Sequence, residues 1–289
     1  MKKAFANPLF TAGFIISFLL SAVALFGGIL APNDPLAVDF RNTLAPPGGA
    51  FPLGTDDLGR CVLSRLLCGA GATLGATLTV EIFTLTFGLF AGLIAGYFGK
   101  AADGVILIVL DVLLAFPSII LALVIAGVLG PGLFNLILAL CAVWWVGHAR
   151  MARSLARSAR GRTFVLAAKA CGSGSFSIIT RKILPHILPQ MIVYSALDAS
   201  AVIAGISSLS FIGLGVRPPA PEWGASLNDA RAYMETNPQM LIAAIVCLLL
   251  AVAGFQLMGE GLRDVLAVRL PHIGIRKRRR GDALGKRDL

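Results

Sequence analysis

The chain has 289 residues, of which 57% are hydrophobic and only 14% charged, with a mean hydropathy of +0.83. Soluble domains carry about 25% charged residues, so this composition excludes an ordinary soluble domain and makes the number of membrane spans the first question. The net charge of +10 does not imply nucleic acid, because Lys and Arg of a polytopic membrane protein collect on its cytoplasmic loops.

Residues Pro8 to Ala31 are 24 uncharged positions preceded by Lys2 and Lys3. A signal peptide has a shorter apolar region and a small-x-small cleavage site, so a retained first span is expected at about 9–31. Residues 32–65 are polar, rich in Pro, Gly and Asp, and read as a loop. Leu66 to Gly99 carries one charge, Glu81, and holds a second span near 73–97. Gly104 to Gly147 carries only Asp111 and, at 44 residues, is too long for one span. Gly130-Pro131-Gly132 supplies the turn, giving spans near 105–128 and 133–149. Ile187 to Val216 carries only Asp198 and predicts a span near 188–213, and the uncharged Asn237 to Gly259 predicts a sixth near 239–259.

Six spans put both termini on one side. With the N-terminus inside, the inner segments hold 20 basic residues and the outer ones 5, an asymmetry that places both termini in the cytoplasm. The tail, with RKRRR at 276–280, reads as a topology anchor or a contact for anionic lipid. The organisation is thus residues 1–70 with the first span and an outer loop, 71–262 with five further spans, and 263–289 as a basic tail.

Between spans four and five lies the longest cytoplasmic interruption, Arg162 to Pro189. Val165 to Ala170 reads as a short helix, Cys171 to Ser175 breaks it, and Phe176 to Leu184 reads as a second, limited by Pro185 and Pro189. Two short helices joined at a glycine look built to present a surface.

Chemistry-bearing patterns are sparse. No G-x-x-x-x-G-K-[ST] sequence occurs, so the chain shows no nucleotide site of its own. His148, His186 and His272 are scattered near span ends or in the tail and read as membrane-edge or loop residues. No clustered set of His, Cys or carboxylates suggests a metal site. The cysteines show no CxxC, and Cys61 and Cys68 share one loop, leaving a disulfide between them open. Glu81, Asp111 and Asp198 are costly inside spans and usually face a bundle interior or aqueous path. They are candidates for polar lining of a translocation path, with buried structural hydrogen bonding as the other reading. Asp111 lies two turns from Gly104, within reach of a cytoplasmic base. Gly88, Gly92 and Gly96 form a small-xxx-small ladder for close helix packing.

Phe164-Val165-Leu166-Ala167-Ala168, Gly172 and Ile183-Leu184-Pro185 resemble the EAA-G-I-LP signature of importer-type ABC permeases. Leu53 to Arg60, Asp111 to Ser118, Leu209 to Val216 and Gly261 to Asp264 look like the second permease subunit of the dipeptide/oligopeptide/nickel branch. The resemblance covers nearly the whole chain. It implies an all-α integral membrane protein with six transmembrane helices and the type I ABC importer permease fold. It also implies a homologous second permease subunit, two cytoplasmic ATPase subunits that carry ATP and Mg, and an extracytoplasmic solute-binding protein. The chain itself would then be no enzyme and hold no cofactor. By the same resemblance, Phe164, Val165, Leu166, Ala167, Ala168, Gly172, Ile183, Leu184 and Pro185 belong to coupling helices seated on the ATPases.

Two positions depart from the family pattern. The signature's Glu is Leu166 here, so a dock on apolar contact from Phe164, Val165, Leu166 and Ala168 is expected in place of a salt bridge. Cys61 stands where an Asp commonly follows Leu-Gly-Arg. Glu222-Trp223-Gly224, Asn228 to Arg231 and Leu197-Asp198 look closer to nickel or metal-chelate importers than to dipeptide permeases. A secondary transporter working without an ATPase is the alternative, and it would favour inverted repeats and broken helices. A membrane enzyme using the three carboxylates would need a His or Cys beside them.

Overall fold

The computed structural model describes residues 5–267. The basic run at 276–280, His272, Lys2 and Lys3 lie outside them. Helix α1 (Pro8–Leu30) starts where Asn7 accepts the backbone N–H groups of Leu9 and Phe10, with Pro8 needing no donor partner. Helix α2 (Val62–Phe98) runs 37 residues, about 55 Å at 1.5 Å per residue, well beyond the ~30 Å hydrocarbon layer. It begins at Val62, not near 73, because Arg65 in its first turns is paired and so does not end the helix.

The expected single span at 105–128 is two helices, α3 (Lys100–Leu114) and α4 (Ser118–Leu129), bent by 84°. Pro117 is the cause: it lacks an N–H and disfavours helical backbone at Phe116. Five described helices are long and apolar enough to cross a membrane, and the bent pair makes six. Helix α5 (Leu133–Arg160) outlasts its apolar run and carries four arginines at its end. Arg153 donates to Asp103 of α3 at 2.8 Å, and among the described residues the ion pair expected for Asp111 is not formed.

Helices α6 (Thr163–Ala170) and α7 (Ser175–Ile178) follow, then a π-helical turn over Ile179–Ile183 and α8 (Leu184–Phe211). Pro185 and Pro189 do not limit the second short helix, as the sequence suggests. Helix runs unbroken from Ser175 to Phe211. The π turn bonds Leu184 N–H to the Ile179 carbonyl, directly before Pro185, and Pro189 lies inside α8. A short α9 (Trp223–Arg231) and the last helix, α10 (Pro238–Ala267), complete the fold.

Helix α2 is the hub, packing on α5, α8 and α1, while α10 closes against α1, α8 and α9. One core, at the end bearing the 32–61 loop, gathers Val62, Leu66, Trp223 and Met240. A middle core gathers Leu136, Leu140, Val202 and Ile206. A third, at the arginine-rich end, gathers Leu93, Tyr97, Val165, Ile178 and Ile183.

The loop before α2 is tied down by charge. Asp56, 3% exposed, accepts the Arg60 and Leu58 backbone N–H groups and the Arg60 Nε at 2.6 Å. Arg65 lies 3.5 Å from Asp56 and 3.6 Å from Asp229 of α9, and it donates to the Pro219 carbonyl at 3.2 Å. Gly59 has φ +74°, and a side chain there would strike the Asp39 backbone. Glu222 caps α9 through Ala225 N–H and also accepts from Thr73 Oγ1 at 2.8 Å, while Trp223 Nε1 donates to the Leu66 carbonyl at 2.9 Å. The sequence blocks at 53–60 and 222–231 therefore build one plug over the end of α2. Cys61 and Cys68 are both unpaired, Cys61 directly before α2 and Cys68 within it.

Burial pushes the Asp229 carboxyl above its ordinary value, with Arg65 and Arg60 acting against it. Its ionisation therefore opposes folding above the ordinary carboxylate range. Asp56→Ala should strip the counter-charge from two buried arginines and cost about 3–5 kcal/mol. Asp229→Asn should cost far less. Thermal unfolding in detergent checks the ranking, and equal losses would show that the two carboxylates act alike.

Candidate functional site

The buried face of α2 carries a polar stripe of Thr73, Thr77, Glu81 and Thr84, continued by Gly88. The threonines are satisfied: Thr73 by Glu222, Thr77 by the Thr73 carbonyl and Thr84 by the Glu81 carbonyl. The Glu81 side chain is not. Both of its oxygens are buried without a hydrogen-bond partner.

Opposite Glu81 stands His148 of α5. It is not a membrane-edge residue, as its place in the sequence suggests; its side chain is fully buried. Nε2 lies 3.6 Å from Glu81 Oε2 and 2.9 Å from Ser195 Oγ on α8. Nδ1 faces Asp198 Oδ2 of α8 at 4.0 Å, and both atoms lack hydrogen bonds. The Tyr194 ring packs edge-on against the imidazole, centroids 4.9 Å apart. One ligand-type atom from each of Glu81, His148 and Asp198 lies within 4.8 Å of the other two.

Two expectations are corrected here. A clustered His–carboxylate set does exist, and a histidine does accompany the carboxylates. Spacing could not reveal it, because residues 81, 148 and 198 come from three helices. The signal available was the ladder at Gly88, since a Cβ there would sit 2.5 Å from the His148 Cβ. Gly92 and Gly96 meet Ala152 and Ala156 at 2.6 and 2.7 Å in the same sense. Asp111 stays apart from this group, exposed on α3.

The stretch from Thr163 to Pro185 divides into two faces. Val165, Ala168, Ile178 and Ile183 turn inward and join the core with Leu93 and Tyr97. Phe164 (37% exposed), Leu166 (53%) and Phe176 (80%) turn outward, as do Ala167 and Pro185, while Leu184 is half-buried. Val165 and Ala168, expected among the apolar docking residues, are buried and hold the loop to the bundle, while Phe176, outside the signature, is exposed beside Phe164 and Leu166. Tyr97 Oη reaches Ser175 Oγ at 3.4 Å, and Lys169 Nζ lies 5.3 Å over the Tyr97 ring, linking the loop to the end of α2. Gly172, between the two short helices, has φ +78° with open space around it.

The close approach of α2 to α5 sets the site. Gly88→Ala should force the helices apart and cost about 1–3 kcal/mol of overpacking. Gly75→Ala, on the same helix with nothing within 4 Å of its Cβ, should be neutral or stabilising. Thermal stability of the two variants in one detergent checks this, and matching melting points would count against the close contact.

Comparison with known proteins covers most of the chain. Residues 88–264 match the family described as binding-protein-dependent transport system inner membrane component. The nickel transport system permease protein NikC of Escherichia coli K12 is 38% identical over 259 residues, 90% of this chain and 92% of that protein. The di/tripeptide transport system permease protein DppC of Pseudomonas aeruginosa is 37% identical over 265 residues, 89% of this chain and 87% of that protein. Among solved structures, an inward-facing MetNI methionine ABC transporter chain shares the fold, with TM-score 0.54 and 22% identity over 71% of this chain and 96% of that one. The chain belongs to the binding-protein-dependent transport system inner membrane components, the permease subunits of ABC importers.

Proposed function

We propose that this permease forms one half of a translocation path, with a homologous second permease supplying the other half. Of two cytoplasmic ATPases that bind ATP and Mg, one seats on its 163–185 stretch and the other on the second permease, and an extracytoplasmic solute-binding protein delivers cargo at the end capped by Asp56 and α9. Both termini then face the cytoplasm, in keeping with the excess of Lys and Arg at that end. The cargo class is a nickel or other metal chelate, or a short peptide, as the names of the relatives suggest.

One observation carries this reading. A short helix pair turns at a glycine and offers Phe164, Leu166 and Phe176 to solvent beside a bundle whose cytoplasmic core it also joins. Exposed aromatic and aliphatic side chains on a rigid, backed surface are the anchors a protein partner buries. With Leu166 in the glutamate's place, affinity for the ATPase rests on that apolar surface. Coupling is mechanical: closure of the ATPase dimer moves the docked pair, and the continuous helix from Ser175 to Phe211 passes the motion into the membrane.

Phe176→Ala combined with Leu166→Ala should weaken ATPase association about tenfold or more, some 1.4 kcal/mol, and lower ATP-driven uptake in reconstituted vesicles. Gly172→Val should leave association largely intact but uncouple hydrolysis from uptake, because a branched residue is strained by about 1–2 kcal/mol at positive φ. Wild-type coupling in both variants would sink the docking role. Uptake without any ATPase would favour a secondary transporter.

A further inference from the structure

We propose that Glu81, His148 and Asp198 form a binding site for a single divalent transition-metal ion between α2, α5 and α8. The donor set is one imidazole and two carboxylates. Ions such as Ni2+, Co2+ and Zn2+ take mixed nitrogen and oxygen donors, whereas Mg2+ and Ca2+ prefer oxygen and water.

The geometry fits an interposed atom better than direct contact. At 4.0 Å, His148 Nδ1 is too far from Asp198 Oδ2 for a hydrogen bond, and Glu81 Oε2 lies 3.6 Å from the other nitrogen of the same ring, so the ring offers one nitrogen to an ion shared with both carboxylates. Donors bonded at about 2.1 Å to a tetrahedral ion stand about 3.4 Å apart. The three candidate atoms already lie within 4.8 Å of one another, so side-chain torsions that close the group by roughly an ångström supply three donors and leave the remaining position to water or another ligand.

The donors are also open. The His148 side chain is fully buried and that of Glu81 only 10% exposed, yet His148 Nδ1, both Glu81 oxygens and Asp198 Oδ2 have no hydrogen-bond partner. Two neighbouring carboxylates out of water repel each other, and a dication removes that cost. Ser195 Oγ, 2.9 Å from Nε2, can accept the Nε2 proton. That leaves the Nδ1 lone pair turned toward Asp198, the supporting hydrogen bond metal-binding histidines normally make.

Each of the three residues sits near the middle of its helix. If the chain works as the permease described above, the ion is cargo in passage, and Asp198 rides on the helix continuous with the docking loop. That role rests on the permease reading; metal binding by itself does not.

The untagged complex, purified with its partner subunits, is titrated with Ni2+ and with Co2+, whose absorption reports the donor set. Expected is one ion per chain with nitrogen and oxygen donors. Asp198→Asn and His148→Gln should bind about a hundredfold more weakly, and Ser195→Ala, which keeps all three donors, about 10–100-fold more weakly. His186→Gln should bind as wild type. Wild-type affinity in the combined E81Q, H148Q and D198N variant, or no ion bound at millimolar free metal, overturns the site. If the donor variants fail to co-purify, Ser195→Ala decides, and unchanged affinity there also overturns it. Normal ATP-driven uptake with unchanged metal affinity in the variants defeats the site and leaves the permease standing. Metal binding lost in the variants of a chain that supports no ATP-driven uptake does the reverse.

Discussion

The spacing between α2 and α5 governs this molecule. Gly88, Gly92 and Gly96 remove the side chains that would separate the helices, so the α2 backbone rests on His148, Ala152 and Ala156. Lipid offers no hydrophobic drive for helices to associate, so this contact depends on van der Waals packing at short range. The same approach carries His148 to Glu81 and places α2 against α8, which brings Asp198 to the imidazole. A wider pair would leave three unrelated polar side chains on three helices.

The chain treats buried charge in two ways. At the plug over α2, Asp56, Arg60, Arg65 and Asp229 are arranged so that nearly every donor meets an acceptor, and Asp56 alone accepts from two backbone groups and a guanidinium. Such a network fixes a shape and has no capacity left over. Around His148 the same kinds of groups stand close but unbonded. Unsatisfied polar atoms out of water are costly, which sets this cluster apart from the fully bonded plug.

Much of the fold was legible in the sequence because it obeys simple rules. Uncharged runs marked the spans, and Gly130-Pro131-Gly132 marked the turn before α5. Proline misled in both directions. Pro117 breaks a run that hydropathy reads as continuous, while Pro185 follows directly on a π turn and Pro189 lies inside α8 without breaking it. Helix α9 hid in a polar segment, since its existence rests on the Glu222 cap and on Trp223 reaching the Leu66 carbonyl, a partner 157 positions away. The same limit concealed the role of His148. Burial and company are tertiary properties, and its sequence neighbours Gly147 and Ala149 disclose neither.

The π turn at Ile179–Ile183 has a consequence for angular phase. Such a turn accommodates one residue more than an α-helix would, so every side chain after it is rotated by about 100° from where an uninterrupted helix would aim it. Phe176 and Asp198 share one rod, and their relative phase depends on that turn being kept. A one-residue deletion that closed the π turn to an α turn would leave Asp198 facing His148, whereas a deletion elsewhere between them, with the π turn kept, would rotate it away by about 100°. The exposed face of the 163–185 stretch and the buried cluster are thus keyed to each other through helical pitch, and a graft joining the loop of one relative to the span of another must preserve the turn as well as residue identity.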